Sequence, residues 1–182
     1  EASLANPLLD FDKILVIRRK GEANRGLNAH TTLDIRPTGR DNDIAVLSNL
    51  RQGVKAQPLY RHPNQGVIKH MSLHWETKRI MFSSAGKNGK WAVLDVDENG
   101  NDPRELTPSD QPDVNWFDSC YLPEVGHIIA CSTAGMQGLP CENGSRPMVN
   151  LYRVNVATKA VRQLTFEQDS DWHPSVLPNG KV

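Results

Sequence analysis

Apolar and polar positions alternate with a period of two over much of the chain. Lys90 to Asp97 reads KWAVLDVD and runs into Glu98-Asn99-Gly100, a turn that supplies the positive φ a tight hairpin needs. Val149 to Val156 alternates likewise, breaks at Ala157-Thr158-Lys159-Ala160, and resumes at Val161. His127 to Ala130 follows a Pro-Glu-Val-Gly turn. No long stretch combines a helical period with caps at its ends. The 12 prolines and 13 glycines are scattered throughout, which works against long helices. The pattern predicts an all-β chain.

The alternation also repeats at a larger scale. His70 to Trp75 answers to Asp118 to Pro123 and to His173 to Pro178. Ile80 to Gly86 answers to Ile129 to Gly135, and Leu94 to Asp97 answers to Val154 to Ala157. Arg104-Glu105-Leu106-Thr107 answers to Arg162-Gln163-Leu164-Thr165, with Pro58-Leu59-Tyr60 as a weaker earlier copy. The offsets are 48, 49, 55 and 58 residues. A period of about 50 residues with four short strands per unit predicts a β-propeller of four-stranded antiparallel blades. On that period the 182 residues form a single propeller segment, an incomplete set of about three to four blades. A partial blade over 13–61 lacks its innermost strand, full blades cover 70–107 and 118–165, and a next blade starts over 173–182. The least patterned stretches, Lys20 to Asp41 and Met136 to Pro147, read as long loops inserted between strands.

The chain opens at Glu1 and stops at Val182, just after the turn signal Pro178-Asn179-Gly180. The expectation is therefore a piece of a longer protein. Its open edges would be covered by the missing blades of that protein, by a protein partner, or by a second copy in a homodimer.

Charge removes some partners from consideration. The 21 Lys and Arg balance 21 Asp and Glu, so no basic field marks a nucleic-acid binder or an anionic-membrane binder. Apolar runs reach only four residues, as in Ile14 to Ile17, against the roughly 18 a membrane span needs. Catalytic motifs are also missing. Ser83-Ser84 and Ser132-Thr133 precede Ala-Gly rather than forming a G-x-S-x-G elbow, and Lys87 to Lys90 lacks the spacing of a phosphate-binding loop. The segment itself reads as a binding module more than an enzyme.

The repeat register nominates one site. His70, Asp118 and His173 hold equivalent positions, each opening the innermost strand of its blade. Innermost strands line the central channel, so the three should ring one of its mouths. Two imidazoles and a carboxylate are ligand types for zinc, iron or copper, and they also suit acid–base work. The alternative is that each side chain hydrogen-bonds the neighbouring blade's loop, a repeated task at a repeated position. The three cysteines, Cys120, Cys131 and Cys141, fit three arrangements. They are buried thiols, or Cys131 and Cys141 form a disulfide, or they bind zinc with His127 or His30. The Asp-rich turns at 95–100 and 110–113 do not fit a calcium loop and read as solvated hairpin turns. Trp75, Trp91, Trp116 and Trp172 read as packing between blades, and Arg18-Arg19-Lys20 as a solvated strand end.

Leu106-Thr107 and Leu164-Thr165 at blade ends, with Leu177-Pro178-Asn179-Gly180-Lys181, resemble the TolB-type, WD-like propeller repeat over residues 70–182. A narrower resemblance covers almost the whole chain. It is carried by Asn6 to Leu15, Asn42 to Ser48, Asp110 to Asp113, Cys120 to Pro123, Cys131 to Gly135 and Gly138 to Cys141. These segments are similar to the middle domain of the hydrazine synthase α-subunit family. That resemblance implies a propeller inside a larger exported bacterial protein, periplasmic or secreted, often beside a cytochrome-like domain. Two functions follow as expectations. One is a binding or scaffolding module; the other is a non-catalytic part of a haem-dependent oxidoreductase whose cofactor domain lies outside this chain. The chain has no C-x-x-C-H and so no covalent haem motif of its own, and hydrazine chemistry does not carry over.

Overall fold

The computed structural model describes residues 6, 9–20 and 32–182, which fold into three antiparallel sheets. The first contains β1 (Lys13–Arg19), β2 (Asn42–Ser48) and β3 (Lys55–Tyr60). The second runs in chain order through β4 (Lys69–Leu73), β5 (Arg79–Ala85), β6 (Trp91–Asp97) and β7 (Arg104–Glu105). The third runs through β8 (Trp116–Tyr121), β9 (His127–Ser132), β10 (Asn150–Asn155) and β11 (Val161–Gln163). Successive strands pair with their neighbours throughout, the meander of propeller blades.

Turn chemistry fixes these hairpins. Asp97 Oδ1 accepts the backbone N–H groups of Asn99 and Asn101 at 2.9 and 2.7 Å, and Asn155 Oδ1 does the same for Ala157 and Thr158 at 3.0 and 2.9 Å. A short polar side chain thus replaces the ladder where the strand reverses. Gly100 has φ +79, and a Cβ there would lie 2.1 Å from the Leu59 carbonyl oxygen. Only glycine lets this hairpin press against the first sheet.

Each four-stranded sheet ends in the same way. The Leu106 N–H donates to the Val93 carbonyl at 2.8 Å while Thr107 Oγ1 accepts from the Val93 N–H at 3.2 Å. The Leu164 N–H donates to Leu151 at 2.8 Å while Thr165 Oγ1 accepts from the Leu151 N–H at 3.0 Å. β7 has two residues and β11 three, so the threonine hydroxyl satisfies a strand N–H that the short edge does not reach.

Two cores lie between the sheets. Ile44 and Tyr60 of the first meet Ile68, Ile80, Phe82, Leu94 and Val96 of the second. Met81, Val93 and Leu106 meet Trp116, Tyr121, Ile128, Ala130, Tyr152 and Val154 of the third. A fully buried side chain such as Phe82 contributes about 2–3 kcal/mol. A third cluster joins Val67, Trp91, Phe117, Cys131 and Val149, with Trp172 packed against it.

Several expectations change. Trp91 and Trp116 are buried and Trp172 packs on the third cluster, but Trp75 is 59% exposed and belongs to none of the three buried clusters. Asp95 is not a solvated turn residue. It is buried, and both its oxygens accept from two arginines, Arg79 at 3.1 and 2.6 Å and Arg104 at 3.0 and 2.6 Å. Arg18 likewise does not simply face water, since its guanidinium forks onto buried Asp43 at 2.7 and 2.6 Å. Residues 173–182 carry no strand, only a turn closed by the Leu177 N–H on the Lys181 carbonyl at 2.8 Å. The loop from Met136 to Pro147 contains a short 3-10 turn, Pro140–Glu142, and an antiparallel bridge between Gly138 and Pro147. Of the loop from Lys20 to Asp41, residues 21–31, with His30 among them, lie outside the described residues.

Candidate functional site

His70, Asp118 and His173 share a backbone feature that the repeat register does not reveal. Their φ angles are 49°, 40° and 55°, the left-handed region that non-glycine residues seldom occupy. In β4 the ladder register shifts between Lys69 and Ser72, and in β8 it shifts between Phe117 and Ser119. Each shift is a bulge that turns one side chain out of the strand's alternation. A left-handed L-residue costs about 1–2 kcal/mol, and it is used here three times at equivalent positions.

The three side chains converge. His70 Nδ1 and His173 Nδ1 are 3.1 Å apart, and their ring centroids are 5.0 Å apart. His173 Nε2 lies 3.4 Å from Asp118 Oδ2, and His70 Nδ1 lies 4.0 Å from Asp118 Oδ1. One donor atom from each residue can be chosen so that all lie within 4.8 Å of one another. Asp118 is fully buried, and its carboxylate is held by ion pairs whose nearest nitrogens lie 3.4 Å away. Its backbone N–H donates to Ser83 Oγ at 2.9 Å, which ties the bulge in β8 to β5 of the neighbouring sheet.

Sequence reasoning missed a fourth member, Lys69. It is 2% exposed, its Nζ lies 3.4 Å from Asp118 Oδ1, and it also donates to Thr32 Oγ1. A signal was present. The residues before Asp118 and His173 are Phe117 and Trp172, so lysine stands where the other two repeats place an aromatic ring. Burial lowers the Lys69 pKa, and Asp118 pulls it back up. Burial also lowers the pKa of His70 despite the Asp118 charge, with His173 and Lys69 pushing the same way.

His70 and His173 open onto a cleft of about 310 Å³ whose other walls include Met71, Trp75, Ser119 and Tyr121. A larger groove of about 840 Å³ between the second and third sheets holds the Arg79–Asp95–Arg104 cluster and His127. The two share Trp75, Tyr121 and Val176. The charges of the larger groove are paired with one another, while the smaller cleft presents two imidazoles.

Cys120 and Cys131 are buried thiols and Cys141 is an exposed one, so the described residues form no disulfide. Burial pushes Cys120 up to about 11 and Cys131 well above the ordinary thiol range. His127 pairs with Glu124 at 3.4 Å and contacts Asn155 at 3.2 Å; it belongs to no cysteine cluster among the described residues.

No protein-family model and no curated protein matches the chain. Solved structures do. A TolB-type protein from Agrobacterium tumefaciens superposes with a TM-score of 0.54 at 15% identity, over 75% of this chain and 44% of that one. TolB from Acinetobacter baumannii superposes at 0.51 and 16% identity, over 77% of this chain and 30% of that one. The fold is that of a TolB-like β-propeller. At this identity the likeness is one of fold, and the chain spans less than half the length of either structure. No helix among the described residues is long and apolar enough to cross a membrane.

Proposed function

We propose that this chain is part of a binding and scaffolding propeller in a larger exported bacterial protein, periplasmic or secreted, resembling the middle domain of hydrazine synthase α-like proteins. Its ligand or partner domain is held at the channel mouth by His70, Asp118 and His173. The observation that carries this reading is the convergence of three left-handed residues at equivalent repeat positions, of which His70 and His173 wall one cleft and Asp118 is buried beside them. The partners of Asp118 are Lys69, His70 and His173, the members of the cluster themselves, at 3.4 to 4.0 Å. In this reading the blades run over 13–61, 70–107, 118–165 and from 173 onward. The greater length of the TolB chains supports further blades that cover apolar residues now exposed, among them Ile14, Leu164 and Phe166. A second copy of the chain is the other way to cover them.

Photo-crosslinking in the full chain tests this reading. A benzophenone side chain at Ser175, on the cleft, should capture one defined partner peptide or ligand, identified by mass spectrometry. The same group at exposed Lys55 on β3 should capture none. Equal or absent capture at both positions removes the reading. A haem-bearing peptide captured at Ser175 would select the alternative, a non-catalytic part of a haem-dependent oxidoreductase. Capture of a second copy of the chain would select the homodimer.

A further inference from the structure

We infer that His70, Asp118 and His173 bind one divalent first-row transition-metal ion, with zinc as the representative, through two imidazole nitrogens and one carboxylate oxygen. This deepens the channel-mouth reading and rests on it.

Four observations carry the inference together. The donor set, two neutral nitrogens and one anionic oxygen, is that of zinc and related ions and not of calcium or magnesium, which take oxygen shells. The spacing is right. Bonds of about 2.0–2.1 Å in a tetrahedron put donors about 3.3 Å apart; His173 reaches His70 with Nδ1 at 3.1 Å and Asp118 with Nε2 at 3.4 Å, and with one atom per residue all donors lie within 4.8 Å of one another, so side-chain rotations close the set on an ion. A small rotation of the His173 ring, which is 44% exposed, selects one of its nitrogens for the ion. The third observation is the buried carboxylate. Asp118 is 0% exposed and is held by ion pairs at 3.4 Å, Lys69 on Oδ1 and His173 on Oδ2, rather than by a full set of close hydrogen bonds, which leaves lone pairs for an ion. Lys69 sits by Oδ1, while Oδ2 is the oxygen turned toward His173. Finally, the strained backbone aims all three side chains at one point, and three protein ligands leave a position of the ion open. That position faces the cleft walled by Trp75, Ser119 and Tyr121, so the ion would take an exogenous donor from the same side as the proposed partner.

The experiment is zinc titration of the metal-stripped full chain by calorimetry, with metal analysis of the same protein after gel filtration. One equivalent of Zn2+ is expected to remain bound. H70A and H173A should each weaken it on the order of 100-fold, since losing a ligand costs at least as much as losing a ligand's outer partner. C141S should leave it unchanged. Cobalt loading should give visible d–d absorption without the charge-transfer band of a thiolate ligand. His173 is partly exposed and lies outside any strand, so H173A tests the site without threatening the fold; thermal melts confirm this. No retained zinc, zinc affinity unchanged in both histidine variants, or a thiolate band on cobalt would each overturn the metal site. Failure here together with specific crosslinking at Ser175 would remove the ion and leave the binding reading intact.

Discussion

Asp95 and Asp118 make an instructive pair. Both lie in strands and both are buried, at 1% and 0% exposure. Asp95 accepts four charge-assisted hydrogen bonds from the forks of Arg79 and Arg104. Asp118 has one ammonium and two imidazoles nearby, at 3.4 to 4.0 Å. Arg79 adds Asp102 at 2.8 Å, so every charge of the Asp95 cluster has a partner and the cluster ties β5, β6 and β7 together. The same burial therefore serves opposite ends. Where every lone pair has a donor, a buried carboxylate is a clamp. Where the donors stand farther off, at 3.4 to 4.0 Å, and the backbone is strained to bring imidazoles close, we read it as a place for something else to bind.

The largest expected effect breaks the clamp. D95A strips two arginines of their partner, and breaking a buried pair costs about 3–5 kcal/mol. Arg104 is 47% exposed and can rehydrate, which favours about 3 kcal/mol, a fall in Tm of roughly 6–12 °C for a domain this size. Thermal denaturation by circular dichroism reads it directly. The double variant K69M/D118N is the matched test on the other side. It removes both charges of the site at similar volume and keeps a residue that tolerates left-handed backbone. Its stability should change by less than about 1 kcal/mol or rise. A fall as large as that of D95A would mean the site is also a clamp, and the contrast would vanish.

The two aspartates also differ in how far the sequence discloses them. Alternation and hairpin turns are local, so the strands, the all-β class and the Leu-Thr closers are legible from residue spacing alone. The equivalence of His70, Asp118 and His173 is legible too, because a repeat carries register across 48 and 55 residues. Their convergence needs the bulges, and no short-range pattern announces a left-handed histidine. Asp95 reads as a solvated turn residue because it stands two residues before the Asp97 turn; its arginines come from β5 and β7, on either side in the sheet. Lys69 escaped because an isolated lysine reads as surface. Only its misfit with Phe117 and Trp172 in the aligned repeats marks it. Trp75 failed in the opposite sense, since tryptophan reads as core but here walls a cleft.

A smaller effect tests whether the floor of the site is dry. Cys131 packs with Phe117 and Val149, and Cys120 follows Asp118 by two residues. Burial raises both thiols, Cys120 to about 11, so neither forms much thiolate at pH 8. Labelling of the native chain with a thiol reagent at pH 8 should find one fast site, Cys141, and three after denaturation. Fast modification of Cys131 would show water reaching the core beneath Asp118. The carboxylate would then be hydrated, and the distance of its donors would lose its meaning.

Asp43 supplies the intermediate case and the mildest test. It is buried, takes both bonds of the Arg18 fork, and has Arg61 at 3.4 Å as a weaker second partner. The Arg18 hydrogen bonds are the main reason its carboxyl is held below the usual range; burial opposes them and Arg61 adds to them. A depressed folded pKa stabilises the fold above the unfolded value of about 3.9. That contribution is lost as pH falls below about 4 and on through the lower folded value. Denaturation followed between pH 5 and pH 2 should therefore show R18Q losing less stability over this window than the parent, from a slightly lower start. Arg61 remains, so part of the slope should survive. If R18Q keeps the full slope, Arg61 alone satisfies Asp43, and the number of aligned donors no longer distinguishes a clamp from an open site.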